Sequence, residues 1–447
     1  MGTPRFRLLD ATLNPPVLAA DEEDAASQAL PWVLLEVEAY VAKRENATTA
    51  FFETWDRKQI QVTLCPRRPP RVSYLCVHSP DAEIHVEPKI LATEDDLVLL
   101  RIAIGRQEDV TDNLEYYVYQ ADDGSGRPAL THLPQPPRPY RFDSSNMGIM
   151  RCRTDHCSDD GCRQEFVVAG LSDAPDDYPE GDFVLCLYKS KDKVWTKSIV
   201  SLDEQQRRQY GSGFDHDNTK MIAIGGDAGT MGFVDLWRGI LFCDVLQEEG
   251  EAIPPLRYVP LPVTRPKKKL SGEPRLCRDI AVVDGRLKYV ELQLHWKNSV
   301  VVRGARLKDG WIAATYSKAA TSSLEDTWSK DYEVDSNCMN FKNDPLTKLL
   351  PKMFNDEGIP LPPFKRLDVC QPTLSLDHHD NVYFMTKFER QDAKAWVVVV
   401  DMKKKVPQAV CPFSAERNTF INFAYMHSRI SSHLYPLSLT TSQLMCY

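Results

Sequence analysis

The sequence lacks the segments that mark secreted, membrane-spanning and generally nucleic-acid-binding proteins. No N-terminal apolar run is long enough for a signal peptide, and charges interrupt each later run before it could cross a bilayer. Basic residues are not in excess, because 63 acidic residues outweigh 54 basic ones and leave a net charge of −9. Such a field repels phosphate backbones and anionic membranes. We therefore expect a soluble intracellular protein with no nucleic-acid or membrane partner.

Catalytic signatures are also missing. The glycine-rich residues 225–232 lack the Gly-Lys-Ser/Thr of a phosphate-binding loop, and a strand-like run follows them instead of a helix. The segment around Ser172 differs from a nucleophile elbow at one position, because Ala174 stands where the motif has glycine. In addition, Pro175 stands where a helix should begin. We interpret the glycines as a turn and Ser172 as non-catalytic, so no catalytic residue is predicted.

Metal-binding residues occur in clusters whose spacing does not favour a metal. Cys152, His156, Cys157 and Cys162 lie within eleven residues, but zinc sites pair their ligands on two separate turns and no second pair follows. We expect this segment to connect strands and to hold no zinc. The runs from Asp377 to Asp380 and from Asp215 to Asp217 are predicted as polar hairpin tips, since adjacent residues of a strand point to opposite faces. No metal or other cofactor is predicted.

The twelve cysteines are scattered along the chain. Cys65, Cys76, Cys186 and Cys243 lie inside apolar runs, where cysteine behaves as a small buried hydrophobe. These positions predict reduced core residues. Two basic clusters, residues 265–269 and 403–405, are predicted as solvated turns, and a role of the first in nuclear import is the less favoured alternative. The predicted location is therefore the cytoplasm, with the nucleus as the alternative.

Short runs of β-branched and aromatic residues, bounded by Gly, Asp, Asn and Pro, dominate the chain. Residues 116–134 and 239–262 repeat one pattern, a strand-like run followed by a second run that ends in proline. Asp284 and Gly285 separate two apolar runs and predict a hairpin, because this pair adopts the positive φ angles of a tight turn. Its continuation predicts third and fourth strands at residues 299–303 and 311–316.

Two further meanders are predicted, one over residues 165–200 and one over residues 373–410. Weaker units are predicted at residues 32–64, 72–104, 116–134 and 232–262. The units span about 40 to 60 residues each, the size of a propeller blade. The predicted fold is all-β, a β-propeller-like array of six or seven four-stranded antiparallel meanders. Trp195, Trp311 and Trp396 occupy comparable positions and are predicted to pack between neighbouring sheets.

Helix is predicted only at residues 202–210 and 345–354, both in connections between blades. Residues 1–27 are predicted as a disordered N-terminal segment, residues 28–434 as the propeller-like domain, and residues 435–447 as a flexible tail. Residues 30–37 resemble the start of an F-box, a helical adaptor segment. The β-prone residues that follow them argue against an F-box here.

Several segments occur in the order found in one plant family. They include Trp32 to Leu35, Val72 to His78, Gly232 to Leu241, Leu256 to Pro262 and Trp396 to Met402. Together they resemble the family called domain of unknown function 1618, which is abundant in grasses, over roughly residues 28–434. The resemblance implies kinship with propeller-like domains that follow F-boxes in plant proteins. It implies no activity, cofactor or catalytic residue.

These observations favour a non-enzymatic module that binds another protein. The expected contact points are the charge-rich inserts at residues 173–182, 247–251 and 322–335, because loops on a rigid scaffold commonly carry binding. The alternative is a hydrolase or lyase with its active site in a central propeller pocket. Three or more unpaired acidic or histidine side chains in one deep pocket would favour the enzyme. The partner, the pathway and the oligomeric state are not predicted.

Overall fold

Six sheets form a ring around a central axis. The computed structural model describes residues 8–17, 30–104, 114–122, 126–137, 143–152, 165–175, 177–247, 253–262, 272–302, 305–321, 327–339, 345–351, 353–354, 360–361, 367–377, 379–417 and 423–434. Five of the sheets are four-stranded and antiparallel, and the sixth has six strands. The protein is thus an all-β, six-bladed propeller, which confirms the predicted fold class and fixes the blade count at six.

Blades II to VI each follow the same plan, in which successive strands of the chain pair from the axis outward. The strands of blade II are β6 (Lys89–Glu94), β7 (Leu97–Ala103), β8 (Leu114–Gln120) and β9 (Ala129–Leu133). Those of blade III are β10 (Met147–Arg151), β11 (Phe166–Asp173), β12 (Asp182–Lys189) and β13 (Val194–Ser201). Those of blade IV are β14 (Lys220–Gly225), β15 (Thr230–Asp235), β16 (Gly239–Asp244) and β17 (Arg257–Pro260).

Those of blade V are β18 (Arg278–Val283), β19 (Arg286–Val302), β20 (Ala305–Ala319) and β21 (Ser329–Asp335). Those of blade VI are β24 (Asp368–Leu374), β25 (Asn381–Lys387), β26 (Lys394–Asp401) and β27 (Val406–Ser414). The pattern repeated at residues 116–134 and 239–262 corresponds to the two outer strands of a blade, β8 and β9 in blade II and β16 and β17 in blade IV. Between blades V and VI, β22 (Met353–Phe354) and β23 (Pro360–Leu361) form a small hairpin.

Blade I closes the ring with strands from both ends of the chain. Its members are β1 (Val33–Glu36), β2 (Tyr40–Val41), β3 (Ala50–Glu53), β4 (Gln59–Cys65), β5 (Val72–His78) and β28 (Tyr425–Ser428). The innermost strand β28 pairs antiparallel with β1, and β1 and β2 pair parallel with β5. A strand forms at residues 33–36, where an F-box would need helix.

A buried glutamine joins this closing strand to blade VI. Gln371 lies at a bulge of β24 with φ near 51° and is fully buried. Its side-chain nitrogen donates to the Tyr425 carbonyl at 3.0 Å, and its side-chain oxygen accepts from the Ala424 amide at 2.9 Å. The amide side chain thus takes the place of a strand backbone, because it offers one donor and one acceptor side by side.

The predicted hairpin at Asp284 and Gly285 is confirmed. Val282 pairs with Leu287, and the two turn residues have φ angles of 51° and 68°. The continuation was predicted incorrectly, because residues 299–302 extend β19 and the outermost strand is β21. The apolar run looked like a new strand because periodicity cannot show that a strand continues through a polar stretch.

The boundaries of the weaker units also differ from the prediction. Residues 72–78 belong to blade I, and the rest of the predicted unit 72–104 joins residues 114–133 in blade II. Strand β5 pairs antiparallel with the preceding strand β4 and, on its other side, parallel with the more distant β1. Periodicity indicates strands but not which strands pair with each other.

Two α-helices occur among the described residues, α1 (Asp10–Leu13) and α2 (Glu204–Tyr210). The second confirms the helix predicted at residues 202–210, and Asp203 caps it by accepting from two backbone amides. Residues 345–354 do not form an α-helix. Pro345–Leu349 is a 3-10 turn, and β22 follows it. The predicted domain boundaries stay predictions.

The hydrophobic core lies between adjacent blades. Trp311 in β20 is 1% exposed and packs on Phe384 of blade VI, with ring centroids 5.2 Å apart. Trp396 occupies the corresponding third strand of blade VI and is also buried. Trp195 differs, because it lies on the fourth strand of blade III and donates to the Pro134 carbonyl of blade II. All three therefore pack at blade boundaries, but only two occupy equivalent strands.

Candidate functional site

A cavity of about 250 Å³ lies on the axis of the propeller. Its wall comes from the innermost strands β6, β10, β14, β18 and β28 and from Leu376, which follows β24, so all six blades contribute. Innermost strands of a ring have no neighbour on one side, so their axial side chains face one another or enclose space. This cavity is the candidate functional site.

A lysine, an aspartate and a histidine from three different blades meet at the cavity. The Lys220 ammonium donates to Asp279 Oδ1 at 2.6 Å and to the Ile280 carbonyl at 2.8 Å. Its third contact is with His427 Nε2, at 3.3 Å. Since an ammonium group can only donate, this ring nitrogen is the acceptor. The proton of the neutral imidazole is then on Nδ1, which lies 3.5 Å from Asp279 Oδ2.

Asp279 also reaches a fourth blade. Its Oδ2 accepts from the Leu374 backbone amide of blade VI at 3.0 Å. The carboxylate therefore joins blade V to blade IV through Lys220, to blade VI through Leu374 and to blade I through His427. One buried side chain thus connects four of the six blades at the axis.

The electrostatics of the cluster follow from this geometry. Burial alone would raise the pKa of Asp279, but the charges of Lys220 and His427 and their hydrogen bonds hold it well below its usual range. Burial lowers the pKa of His427, and the neighbouring Lys220 ammonium lowers it further against the opposing effect of Asp279. At neutral pH Asp279 is therefore ionised and His427 is neutral.

Further polar groups line the same wall. The hydroxyl oxygens of Thr93 and Ser428 lie 2.6 Å apart, and His433 Nε2 lies 2.6 Å from Asp95 Oδ1. Arg275 also lies on the wall. It forms a paired contact with the Glu273 carboxylate, at 2.8 and 3.0 Å. The cavity is therefore bordered by charged groups that have partners.

The sequence did not point to Lys220, Asp279 and His427 as a group. Lys220 is the one charged residue of β14, Asp279 follows Arg278 in β18, and His427 lies in β28, so the three come from blades IV, V and I. A charged residue in an innermost strand would have indicated the site, but the sequence does not show which strands are innermost. Only the closed ring shows this.

The predicted hairpin tip at residues 377–380 is confirmed for its described residues. Asp377 Oδ1 accepts from the Ser375 hydroxyl at 2.6 Å and from the His379 amide at 3.0 Å, as expected of a polar turn between β24 and β25. Asp380 lies 3.5 Å from Lys288 Nζ. The turn is stabilised by its own hydrogen bonds.

Residues 215–217 were predicted incorrectly as a hairpin tip. They lie in the connection between blades III and IV, and His216 is only 6% exposed. Its ring stacks on Phe214 and packs edge-on against Tyr258. Burial lowers the pKa of His216 to about 4. The prediction failed because the flanking aspartates suggested exposure, whereas Phe214, Phe183 of blade III and Tyr258 of blade IV cover the ring.

The remaining predicted positions fall in strands or turns. Residues 226–229 form the turn between β14 and β15, as predicted, and Ser172 lies within strand β11. Cys152 follows β10, but His156, Cys157 and Cys162 lie outside the described residues, as do residues 265–269. Among the described residues, no group of three metal-ligating side chains is close enough to hold an ion. The expectation that this segment binds no zinc stays a prediction.

The four cysteines predicted as core residues are buried and unpaired. At the surface, Trp55 is 96% exposed and Phe51 is 50% exposed on the hairpin of β3 and β4. Tyr178, in the first predicted insert, is 43% exposed. In the described part of the chain, no helix is both long and apolar enough to cross a membrane.

Comparison with known proteins gives a family match over part of the chain. The model of a family described as "Protein of unknown function (DUF1618)" matches residues 233–383, from β15 to β25. This stretch is one of the regions that carry the resemblance noted in the sequence. No curated protein matches the sequence.

Solved structures give distant matches. A mutant of Trypanosoma rangeli sialidase with trans-sialidase activity is 12% identical, with a TM-score of 0.27 and 84% of this chain covered. The chain spans about half of that protein, at 52% of its length. Mutant levansucrases of B. megaterium and Bacillus subtilis are 11% and 9% identical, with TM-scores of 0.24 and 0.22. Their alignments cover 86% and 74% of this chain and 91% and 85% of those proteins.

Proposed function

We propose that this protein is a non-enzymatic propeller that binds another protein. We also propose that the whole chain, beyond residues 233–383, is a plant member of the DUF1618 family and akin to the propeller-like domains that follow F-boxes. The cytoplasm is its proposed location, with the nucleus as the alternative. The family match and the rigid ring of blades support the proposal, since a scaffold with loops on both faces is suited to present a binding surface.

The observation that carries the proposal is the exposure of Trp55. A tryptophan rarely stands free in water, because its large ring has much apolar surface to bury. Here the turn holds it outward: the Thr54 amide donates to the Lys58 carbonyl at 2.9 Å, and Lys58 pairs with Asp56 at 2.8 Å. Phe51 lies on the same hairpin. Exposed aromatic side chains on a fixed backbone are typical centres of protein interfaces.

The arrangement at the axis supports a binding role over the hydrolase or lyase alternative. A general base needs a free ring nitrogen or carboxylate oxygen directed at a substrate. His427 Nε2 instead accepts from Lys220, and both Asp279 oxygens accept hydrogen bonds from other blades. Three unpaired acidic or histidine groups, the feature that would favour an enzyme, are not found among the described residues of this cavity.

The predicted inserts remain part of the proposed surface. The first, residues 173–182, joins β11 to β12 and displays Tyr178. Most of the second and the first part of the third lie outside the described residues. The last seven residues of the third, Ser329–Asp335, form strand β21 and not a loop, so the prediction of an insert was wrong there. Their role in partner binding stays a prediction.

The test is affinity capture from plant tissue, the source that the resemblance implies, with quantitative mass spectrometry. The wild-type protein and the variants Trp55→Ala and Phe388→Ala are compared. Phe388 is a matched control, because it is 47% exposed on a different blade. We expect a set of proteins captured by the wild type and by Phe388→Ala and lost with Trp55→Ala. Binding should then be reproduced with the purified partner.

Identical capture by wild type and Trp55→Ala would reject this hairpin as the binding surface. Turnover of a small molecule by purified protein, abolished by His427→Gln, would reject the non-enzymatic function itself.

A further inference from the structure

Two of the cations on the wall of the axial cavity have counter-ions that are not among the described wall residues. Lys220 and Arg275 lie on its wall, whereas their carboxylate partners, Asp279 and Glu273, are not among the described wall residues. Both cations therefore border the open space, where an anion could contact them.

Acidic groups also lie on the wall, and like the cations they have partners. Asp95 lies 2.6 Å from His433, and Glu94 and Asp284 also have interaction partners. Arg429 adds another cation to the same wall. The described wall thus carries three basic side chains (Lys220, Arg275 and Arg429) and three acidic ones (Glu94, Asp95 and Asp284), so a negative group would be favoured only beside the cations.

Apolar side chains also line the cavity, beside the charged groups and the hydroxyl groups of Thr93, Ser144 and Ser428. Leu91, Ile149, Ile222 and Met426 come from four different blades and face the same space. A small inorganic anion would leave this surface uncovered. An organic anion with a short hydrocarbon tail would cover the apolar wall and place its head group against the cations.

We propose that the axial cavity binds a small organic carboxylate, whose head group is received by Lys220 and His427 and whose apolar tail lies along the cavity wall. This site is independent of the partner-binding hairpin.

The carboxylate head group would replace the contact between Lys220 and His427. Of the three acceptors around the Lys220 ammonium, His427 Nε2 is the most distant, at 3.3 Å against 2.6 and 2.8 Å. A carboxylate oxygen replaces this weakest contact and accepts from Lys220. The imidazole then takes up a proton from solvent on Nε2 and donates it to the carboxylate, while Nδ1 keeps facing Asp279.

Binding is therefore linked to protonation. The charged groups that act on His427 are Lys220 and Arg429, which disfavour its protonation, and Asp279, which favours it. A bound carboxylate adds a second favourable charge. Affinity should increase as the pH falls from 8 to 6.

The probe is sodium hexanoate, with hexanamide as its neutral counterpart of similar shape and sodium chloride as the ionic-strength control. Calorimetry follows thermal unfolding of the full chain at increasing probe concentration. We expect hexanoate to raise Tm in a saturable way, more strongly at pH 6 than at pH 8. Hexanamide and sodium chloride should produce no saturable shift.

Two variants and a control test whether hexanoate binds in the axial cavity. Lys220→Met combined with Asp279→Asn removes both charges, so that no uncompensated charge is left buried. The control combines Lys288→Met with Asp380→Asn, a lysine–aspartate pair whose residues are not among the described wall residues. We expect the first double variant to weaken hexanoate binding roughly tenfold or more and the control to leave it unchanged. Ala223→Leu, which fills the cavity without changing charge, should also weaken it.

A saturable shift that survives both the Lys220 double variant and Ala223→Leu would overturn the placement at the axis. Equal shifts with hexanoate and hexanamide, or no saturable shift with hexanoate, would overturn the anion site. If the Lys220 double variant does not fold, Ala223→Leu alone decides the placement.

Discussion

Two buried clusters of charged side chains join distant parts of this propeller, and they differ in their surroundings. In blade I, Arg417 donates to the Glu36 carboxylate and to the carbonyl groups of Glu38 and Ala39, and its guanidinium lies 3.7 Å from the centre of the Tyr40 ring. Protein surrounds this guanidinium. At the axis, by contrast, Lys220 has protein behind it and an open cavity in front.

The difference indicates which cluster can serve a ligand. A charge enclosed on all sides can only stabilise or destabilise the fold. A charge on a cavity wall can exchange one of its partners for a ligand at moderate cost. Similar residue types therefore form a structural connection in one region and a candidate binding site in the other.

The largest expected effect separates the two clusters directly. Arg417→Met leaves the Glu36 carboxylate, which is 4% exposed, without its guanidinium, and should lower the free energy of unfolding by about 3–5 kcal/mol. Lys220→Met should cost less, about 1–3 kcal/mol, because Asp279 keeps the Leu374 amide and water can reach the cavity. Urea unfolding measures both.

The control is Arg208→Met, which removes a partner from an exposed ion pair with Glu204 and should change stability by less than about 1 kcal/mol. Equal costs for Arg417→Met and Lys220→Met would contradict the distinction between enclosed and cavity-facing charges.

A smaller effect concerns the enclosed histidine, His216. Its pKa is lowered from 6.5 to about 4 in the folded protein, so the folded state binds a proton less readily than the unfolded chain. Its contribution to stability is therefore complete above pH 6.5 and is lost as the pH falls from 6.5 to about 4. The loss should reach about 3 kcal/mol. Urea unfolding at intervals between pH 7.5 and pH 4.5 measures it.

His216→Phe should reduce this acid-dependent loss, because phenylalanine can stack on Phe214 without titrating. His379→Gln is the matched control, because it replaces a histidine at an exposed hairpin tip and removes no buried ring. An unaltered pH profile in His216→Phe would mean that other groups cause the acid sensitivity.

The smallest expected change in stability comes from a substitution that alters no charge. Gly285 has a φ of 68° and open space where a Cβ would stand, so a substitution meets only backbone strain. Gly285→Val should cost about 1–2 kcal/mol and Gly285→Asn less, because asparagine tolerates this conformation. Equal stability of the two variants in urea would argue against positive φ as the constraint.

Local features of the fold could be predicted from the sequence. The Asp284–Gly285 turn, helix α2 and the meander at residues 373–410 all depend on neighbouring residues, whose pattern directly reflects their structure. The prediction failed where distant pairing decides. The closing strand β28, which pairs with β1, was not predicted at all, and residues 72–78 were assigned to the wrong unit although β5 pairs with the preceding β4 as well as with β1.

The candidate site could not be predicted for the same reason. Lys220, Asp279 and His427 are separated by more than fifty residues each, and only the closed ring brings them together. The clusters that the sequence did suggest, such as residues 215–217, are close in sequence. Proximity in sequence says little about convergence in a propeller, where consecutive strands run outward from the axis.

The pairing of β1 with β28 has a consequence for the order of folding. Val33 pairs with Ser428, so almost the whole propeller must be synthesised before blade I receives its innermost strand. Until then the edge of β1 has no antiparallel neighbour, and exposed strand edges favour association with other chains. The entropy of closing so long a loop grows only slowly with its length, and preformed blades shorten the flexible part. Ring closure should therefore be the late step in folding, in which the Gln371 amide receives β28.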